Sequence, residues 1–181
     1  MTDTPAFRYA RQADAPALVA LIERAYRSPD TAGSWVSEAH LLKGPRTSND
    51  EISTLIGRED TRFLIAEING RIAGCCLLQG LARDPANPLN AAYFGMFAIE
   101  PNTHGAGLGK SVIAEAEQRV RDLWDANQMV MTVINLRTAL IAWYERRGYH
   151  LTGATLPFPF SETSGETTRD FHLVEMRKTL A

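Results

Sequence analysis

The chain has 181 residues, 45% hydrophobic and 22% charged, a balance typical of a globular protein with a substantial core. The formal net charge of −2 argues against a general nucleic-acid binder. At this length we expect one domain over residues 1–181. No apolar run reaches membrane length and the first residues lack a signal-peptide pattern, so we also expect a cytoplasmic protein. Cys75 and Cys76 are adjacent, and strand neighbours point to opposite faces, so we expect no disulfide between them.

Local patterns in the first half of the chain predict helices followed by a β-hairpin. After Asp14, apolar residues recur at helical spacing from Leu18 to Ala25, so we expect a helix that Asp14 caps and that buries this face. Asn69-Gly70 lies between two alternating apolar runs and indicates a type I′ hairpin turn. The predicted elements are a strand over 7–10, the Asp14-capped helix, helices over 37–43 and 48–56, and hairpin strands over 63–68 and 72–78.

Strands and helices alternate in the second half. A run that is apolar on both sides, 92–99, predicts a central strand. The elements that follow are a helix over 108–124, a strand over 129–134, a helix over 137–147, and an antiparallel pair over 149–154 and 170–176. This order predicts an α/β fold with a mixed sheet and helices on both faces.

A glycine-rich loop separates the central strand from the next helix. Pro101 ends the strand, and Gly105, Gly107 and Gly109 allow the backbone to approach a ligand closely. The helix start offers unpaired N–H groups and the positive end of its dipole. Strand, glycine loop and helix start together predict an anion site, most often for phosphate.

Two familiar phosphate loops do not fit this segment. A Walker A loop ending at Gly109-Lys110-Ser111 would need its first glycine at the position of His104. In the dinucleotide fingerprint, the third glycine would fall on Lys110 or Val112. A nucleotide-hydrolysing P-loop protein is therefore a weak alternative.

A third loop does fit. The segment His104-Gly105-Ala106-Gly107-Leu108-Gly109 resembles the [Q/R]-x-x-G-x-[G/A] loop of the GCN5-related N-acetyltransferases (GNAT), with His104 where the family usually has Gln or Arg. The segment 135–149 resembles the family's second signature, N-x-x-A-x-x-[FY]-Y-E-x-x-G-[FY]. Its tail matches at Tyr144, whereas Arg137 takes the place of the family's asparagine and Asn135 lies two residues earlier.

The resemblance implies a mostly antiparallel sheet of about seven strands, whose central strands splay to admit acetyl-coenzyme A. The pyrophosphate would bind the glycine loop, and the pantetheine arm would run along the end of the central strand. In family members, a backbone amide of that strand also faces the thioester oxygen. The cofactor-binding residues implied are Phe97, Ala98, Ile99, His104, Gly105, Ala106, Gly107, Leu108, Gly109 and Lys110, with Asn135 and Arg137 as further candidates.

Tyr144 aligns with a family tyrosine beside the cofactor sulfur that is often assigned as the general acid. A phenol is protonated at neutral pH and can donate. The alternative is a core aromatic, because Tyr144 lies on the apolar face of its helix.

No general base can be assigned from the sequence. Some members of the family carry a glutamate at the position of Tyr93, which is not a ready base near pH 7. Glu38 and His40 lie in an irregular segment that walls the acceptor site in the family, and water or an already neutral amine would serve as well. The candidate acceptor-binding residues are Trp35, Glu38, His40, Tyr93 and Phe158, with Phe160 as a further aromatic.

The first functional hypothesis is an N-acetyltransferase that moves the acetyl group of acetyl-CoA to a primary amine of a small molecule or peptide by direct attack. We expect the acceptor to be uncharged or modestly polar, with no nucleic acid, membrane or metal involved. Dimers are common in the family, so a homodimer is a further expectation. The alternative is a non-catalytic sensor module that binds acyl-CoA.

Overall fold

The computed structural model describes residues 4–28, 37–83, 90–103, 107–159 and 170–181. The helices are α1 (Ala15–Arg27), α2 (Asn49–Gly57), α3 (Leu108–Trp124) and α4 (Thr138–Glu145). The strands are β1 (Ala6–Tyr9), β2 (Thr61–Ile68), β3 (Arg71–Gly80), β4 (Ala91–Ile99), β5 (Gln128–Ile134), β6 (His150–Pro157) and β7 (His172–Thr179).

The strands form one seven-stranded sheet in the order β1-β2-β3-β4-β5-β7-β6. Its pairings are antiparallel except for the parallel contact between β4 and β5. That contact covers Ala91 to Tyr93 against Gln128 to Val130, and the rest of the two strands diverges. The predicted fold class, including the splayed central strands, is confirmed.

A β-bulge shapes the splayed part of β4. Cys75 pairs with Ala98 but Leu77 pairs with Gly95, so β4 carries one extra residue between these two pairs. Met96 lies in this bulge with φ 43°, a left-handed value that non-glycine residues rarely adopt. The bulge thus falls where β4 has already left β5.

Helices cover both faces of the sheet, as predicted. The apolar face of α1 packs with Ile52 of α2 against sheet residues that include Phe63 and Cys75. On the other face, α3 and α4 pack in a cluster that includes Cys76. The adjacent cysteines therefore point to opposite faces, as expected for strand neighbours, and both are free thiols.

Two local predictions were wrong. The expected helix over 37–43 is a single turn, in which the N–H groups of Leu41 and Leu42 both donate to the Glu38 carbonyl at 2.8 and 2.9 Å. The left-handed Gly44 and then Pro45 follow, which prevents continuation as a helix. Asp14 does precede α1, but its side chain makes no cap there and accepts instead from the Arg8 guanidinium at 2.7 Å.

None of the described helices is both long and apolar enough to cross a membrane.

Candidate active site

A cavity of about 650 Å³ opens where β4 and β5 part. One wall is the bulged part of β4 and the opposite wall is β5, with Tyr144 of α4 also lining the space. The irregular segment before α2 also contributes lining residues. The described lining residues are Tyr26, Arg27, Glu38, Pro45, Arg46, Thr47, Ser48, Glu51, Tyr93, Phe94, Gly95, Met96, Phe97, Met131, Thr132, Val133, Ile134, Arg137, Leu140, Tyr144, Phe158, Pro159 and Leu173.

The end of α1 supports the β4 bulge directly. The Tyr26 hydroxyl donates to the Phe97 carbonyl at 2.7 Å, and both residues are buried. Burial raises the pKa of Tyr26, so the phenol stays protonated and keeps this bond. The hydrogen bond therefore fixes the backbone of the bulge to α1, and both residues line the cavity.

Helix α3 begins beyond the carboxyl end of β4. Gly107 is its N-cap at φ 74°, and a Cβ built there would meet nothing within 4 Å. The first intrahelical hydrogen bond runs from the Ser111 N–H to the Gly107 carbonyl at 3.1 Å, so the preceding N–H groups, including that of Lys110, have no acceptor within the helix. The buried Leu108 anchors the turn in the core. This helix start is suited to an anionic ligand, whereas His104, Gly105 and Ala106 lie outside the described residues.

Of the other candidate cofactor residues, some line the cavity and others do not. Phe97 lines the cavity, whereas Ala98 and Ile99 are buried and pair with β3 through their other edge. Asn135 is engaged in the sheet, because its Oδ1 accepts from the His172 N–H at 3.0 Å. Arg137 lines the cavity at the start of α4 and donates to Glu38 at 3.2 Å.

Tyr144 lies among aromatic rings at the cavity wall. Its ring makes edge contacts with Phe94, Trp143 and Tyr149, with centroids 6.5, 5.1 and 5.9 Å away. Burial raises the pKa of Tyr144 well above its usual value, so the hydroxyl is protonated at neutral pH. The geometry is compatible with both sequence interpretations, since the ring packs in the core and the residue also borders the cavity.

Glu38 is not positioned as a ready base. Its carboxylate accepts from Arg27 at 2.8 Å and from Arg137 at 3.2 Å, and the three side chains are at most 11% exposed. Two guanidiniums therefore compete for the lone pairs that a base would offer to an amine. His40 is exposed and is not among the cavity-lining residues.

Two of the aromatic candidates for acceptor binding line the cavity, and the other two lie outside the described part of the chain. Tyr93 lines the cavity with its hydroxyl 3.4 Å from Thr132 Oγ1. Phe158 also lines the cavity and packs edge-on against Phe171, with ring centroids 5.0 Å apart. Trp35 and Phe160 lie outside the described residues.

Sequence reasoning missed several lining residues. Tyr26 lies at the end of the apolar face of α1, where its pattern indicates only a core residue. Arg27 and Arg46 belong to no motif. Residues 37–48 have no helical or strand periodicity from which the direction of a side chain could be predicted. The adjacent Gly44-Pro45 does predict a turn in this segment, but it does not predict which way the chain turns or that Arg46 reaches the cavity.

No cysteine is available as a nucleophile. Burial raises the pKa of Cys75 to about 12 and that of Cys76 well above its usual value, so both thiols stay protonated. Within the described part of the chain, no group of three or more metal-type side chains could hold an ion.

The family profile described as "Acetyltransferase (GNAT) family" matches residues 18–149, well over half of the chain. The protein therefore belongs to the GNAT family of acetyltransferases. This membership removes the P-loop alternative. No significant match was found among curated protein sequences.

Solved structures with similar folds extend over nearly the whole chain. The ribosomal-protein-alanine N-acetyltransferase from Brucella melitensis is 20% identical, covers 97% of this chain and 99% of its own, and has a TM-score of 0.68. The PaiA N-acetyltransferase from Thermoplasma acidophilum, in complex with coenzyme A, is 16% identical with coverages of 97% and 99% and a TM-score of 0.66. A GNAT-family acetyltransferase from Streptococcus pneumoniae is 18% identical with coverages of 98% and 100% and a TM-score of 0.64. At these identities the likeness establishes the fold.

Proposed function

We propose that residues 1–181 form one N-acetyltransferase domain that uses acetyl-CoA to acetylate a primary amine of a small molecule or peptide. The observation that carries this proposal is the opening between β4 and β5, bordered by Tyr144 and followed along the chain by the start of α3. We also predict a cytoplasmic location and a homodimer. Sedimentation analysis of the purified protein would check the homodimer.

The described residues fit the cofactor at two places. The N–H groups at the start of α3, from Leu108 to Lys110, would hold the pyrophosphate, and Gly107 leaves room for its approach. The edge of β4 from Phe97 to Ile99, which β5 does not cover, would hold the pantetheine arm. When bound, acetyl-CoA supplies an acetyl group already activated as a thioester.

The chain's own residues then provide position and polarity. The Tyr144 hydroxyl would donate a proton toward the leaving sulfur, and the β4 backbone at the bulge would direct an N–H group toward the developing oxyanion. Both carboxylates among the described lining residues are engaged, since Glu38 binds two arginines and Glu51 accepts from the Thr47 hydroxyl at 2.6 Å. We therefore propose that the amine arrives neutral or gives its proton to water. The buried, protonated cysteines favour direct attack over an acetyl-cysteine route.

Release of free thiol in the presence of a panel of amines separates the enzyme from a non-catalytic acyl-CoA sensor. An enzyme releases coenzyme A at a rate that depends on the amine and forms one acetylated product for each thiol. A sensor binds acetyl-CoA and gives no amine-dependent release. The second result, with a protein shown to be folded and to bind the cofactor, would reject the proposed activity.

The cofactor site is tested at Gly107, whose left-handed conformation L-residues adopt only with strain. Gly107→Val should weaken coenzyme A binding about tenfold, because strain of roughly 1–3 kcal/mol must be relieved by moving the first turn of α3. Gly107→Asn is the matched control, because asparagine tolerates this conformation, so it should bind more tightly than the valine variant. Calorimetry measures both affinities, and an unchanged affinity in folded Gly107→Val would contradict the site.

A further inference from the structure

The acceptor side of the cavity carries an excess of positive charge. The described lining residues include three arginines and two glutamates, which gives a formal excess of one positive charge. Arg27 and Arg137 share the Glu38 carboxylate, and Glu51 is bonded to the Thr47 hydroxyl. An acceptor that enters this cavity therefore meets guanidinium groups.

Arg46 is the one of these three lining arginines that does not bind Glu38. Its guanidinium lies over the Tyr26 ring, 5.4 Å from the centroid, and no carboxylate of the described residues forms an ion pair with it. Its backbone is held in place, because Glu23 Oε1 accepts from the N–H groups of Arg46 and Thr47 at 2.5 and 2.9 Å. The Glu23 carboxylate therefore anchors the backbone of the loop. The half-buried Arg46 guanidinium can bind an anionic ligand.

Tyr26 connects this charge to the reaction centre. Its ring lies beneath Arg46, and its hydroxyl bonds to the Phe97 carbonyl in the β4 bulge. One aromatic side chain thus separates the guanidinium from the strand edge beside which the amine would attack. An anionic group only a few bonds from the amine would reach Arg46 while the amine faces β4.

We infer that the acceptor is an amine that carries a carboxylate close to its nitrogen, that is, a free amino acid. This inference rests on the proposed function and replaces the expectation of an uncharged acceptor. Guanidinium binds carboxylate through two parallel hydrogen bonds, which fixes orientation as well as charge. The same charge disfavours polyamines, which would bring further positive charge to an arginine.

The transfer balances without another reactant. The amine nitrogen bonds to the acetyl carbon and the carbon–sulfur bond breaks. The nitrogen loses one proton to water, and the sulfur gains one from the Tyr144 hydroxyl, which water reprotonates. The acceptor carboxylate takes no part in these bond changes, so its contribution appears in binding.

Three matched acceptors test the inference: an amino acid, its α-carboxamide, and the amine that lacks the carboxylate carbon. In the wild type, kcat/KM should be highest for the amino acid. Arg46→Gln should reduce this value about tenfold to hundredfold, mainly through KM, and should change the other two little, because a charge-assisted hydrogen bond contributes roughly 1.5–3 kcal/mol. Arg46→Lys should restore part of the loss. Arg71→Gln, at an exposed position in the β2–β3 hairpin, is the matched control.

Calorimetry on coenzyme A-loaded protein separates failure of the inference from failure of the proposed function. Arg46-dependent binding of the amino acid without thiol release would support the inference while rejecting the activity. The inference is overturned by equal wild-type kcat/KM for the amino acid and its amide, by equal losses on both in Arg46→Gln, or by preference for a polyamine. It is also overturned if Arg46→Gln weakens coenzyme A binding as much as amino-acid binding, which would assign Arg46 to the cofactor.

Discussion

At the scale of single residues, two neighbouring tyrosines allow catalysis and packing to be separated. Tyr144 and Tyr149 are both buried, and their rings lie 5.9 Å apart. Tyr144 borders the cavity, whereas the Tyr149 hydroxyl donates to Glu117 at 2.9 Å and the residue is not among those that line the cavity. Removal of each hydroxyl should therefore affect a different property.

Tyr144→Phe should lower kcat while cofactor affinity changes little, because the hydroxyl acts only in the transition state. The expected loss is about 10²-fold, at the lower end for general acid catalysis. Stability should stay near that of the wild type, since the ring and its packing are kept. Steady-state kinetics with chemistry shown to be rate-limiting provides the measurement, and a kcat within about twofold of the wild type would leave Tyr144 as a packing residue.

Tyr149→Phe is the control for this experiment. It removes a hydrogen bond to a charged acceptor, so the free energy of unfolding should fall by about 1.5–3 kcal/mol with little change in kcat. Denaturant unfolding and kinetics on both variants should give opposite patterns. A loss of rate in Tyr149→Phe as large as that in Tyr144→Phe would indicate a general disturbance of α4.

At the scale of elements, the bulged strand β4 controls the width of the cavity. Gly95 has no side chain at the point where a Cβ would come within 2.6 Å of the Tyr93 ring. The Tyr93 hydroxyl in turn lies 3.4 Å from Thr132 Oγ1 of β5, and Tyr93 is the last residue of β4 that pairs with β5. The absence of a side chain at Gly95 therefore lets an aromatic ring lie across the mouth of the opening.

Gly95→Ala should push the Tyr93 ring away from Thr132 and into the acceptor space. We expect KM for the amine to rise several-fold, about 1 kcal/mol in binding, with little change in coenzyme A affinity. Kinetics in which each substrate is varied in turn gives both values. In a Tyr93→Ala background the same change should have almost no effect, because the clash is gone. An equal effect in both backgrounds would show that Gly95 acts through the strand backbone.

Elements with a strong local period were predictable, and those held by distant contacts were not. Helix α3 matches its predicted bounds of 108–124 because one apolar face runs along its whole length. The glycine-rich anion site was predicted from the residues themselves, and the opening between β4 and β5 followed from the family resemblance. The roles of Tyr26 and Glu38 did not, because their partners Phe97 and Arg137 lie 71 and 99 residues away. Such pairings leave no pattern in the local sequence.

At the scale of the whole molecule, the Arg27–Glu38–Arg137 network joins three distant parts of the chain. Arg27 ends α1, Glu38 lies in the irregular segment, and Arg137 precedes α4. The turn at Glu38 also brings Leu41 and Leu42 against Ile134 and Phe171 in a small apolar cluster. The network thus attaches the acceptor side of the cavity to the sheet, and its charge balance should matter for the stability of the fold.

Glu38→Gln should lower the free energy of unfolding by about 3 kcal/mol, because it removes the carboxylate that binds two buried guanidiniums. Adding Arg27→Met should recover part of this loss, since one of the unbalanced charges is then removed, and the two changes should depart from additivity by about 1–3 kcal/mol. Glu145→Gln, at an exposed position at the end of α4, controls for the loss of a surface carboxylate and should change stability by less than about 0.5 kcal/mol. Denaturant unfolding of five proteins measures these terms: the wild type, Glu38→Gln, Arg27→Met, the double variant and Glu145→Gln. Additive losses in the double variant would mean that the Glu38 and Arg27 side chains do not stabilise the fold through their contact with each other.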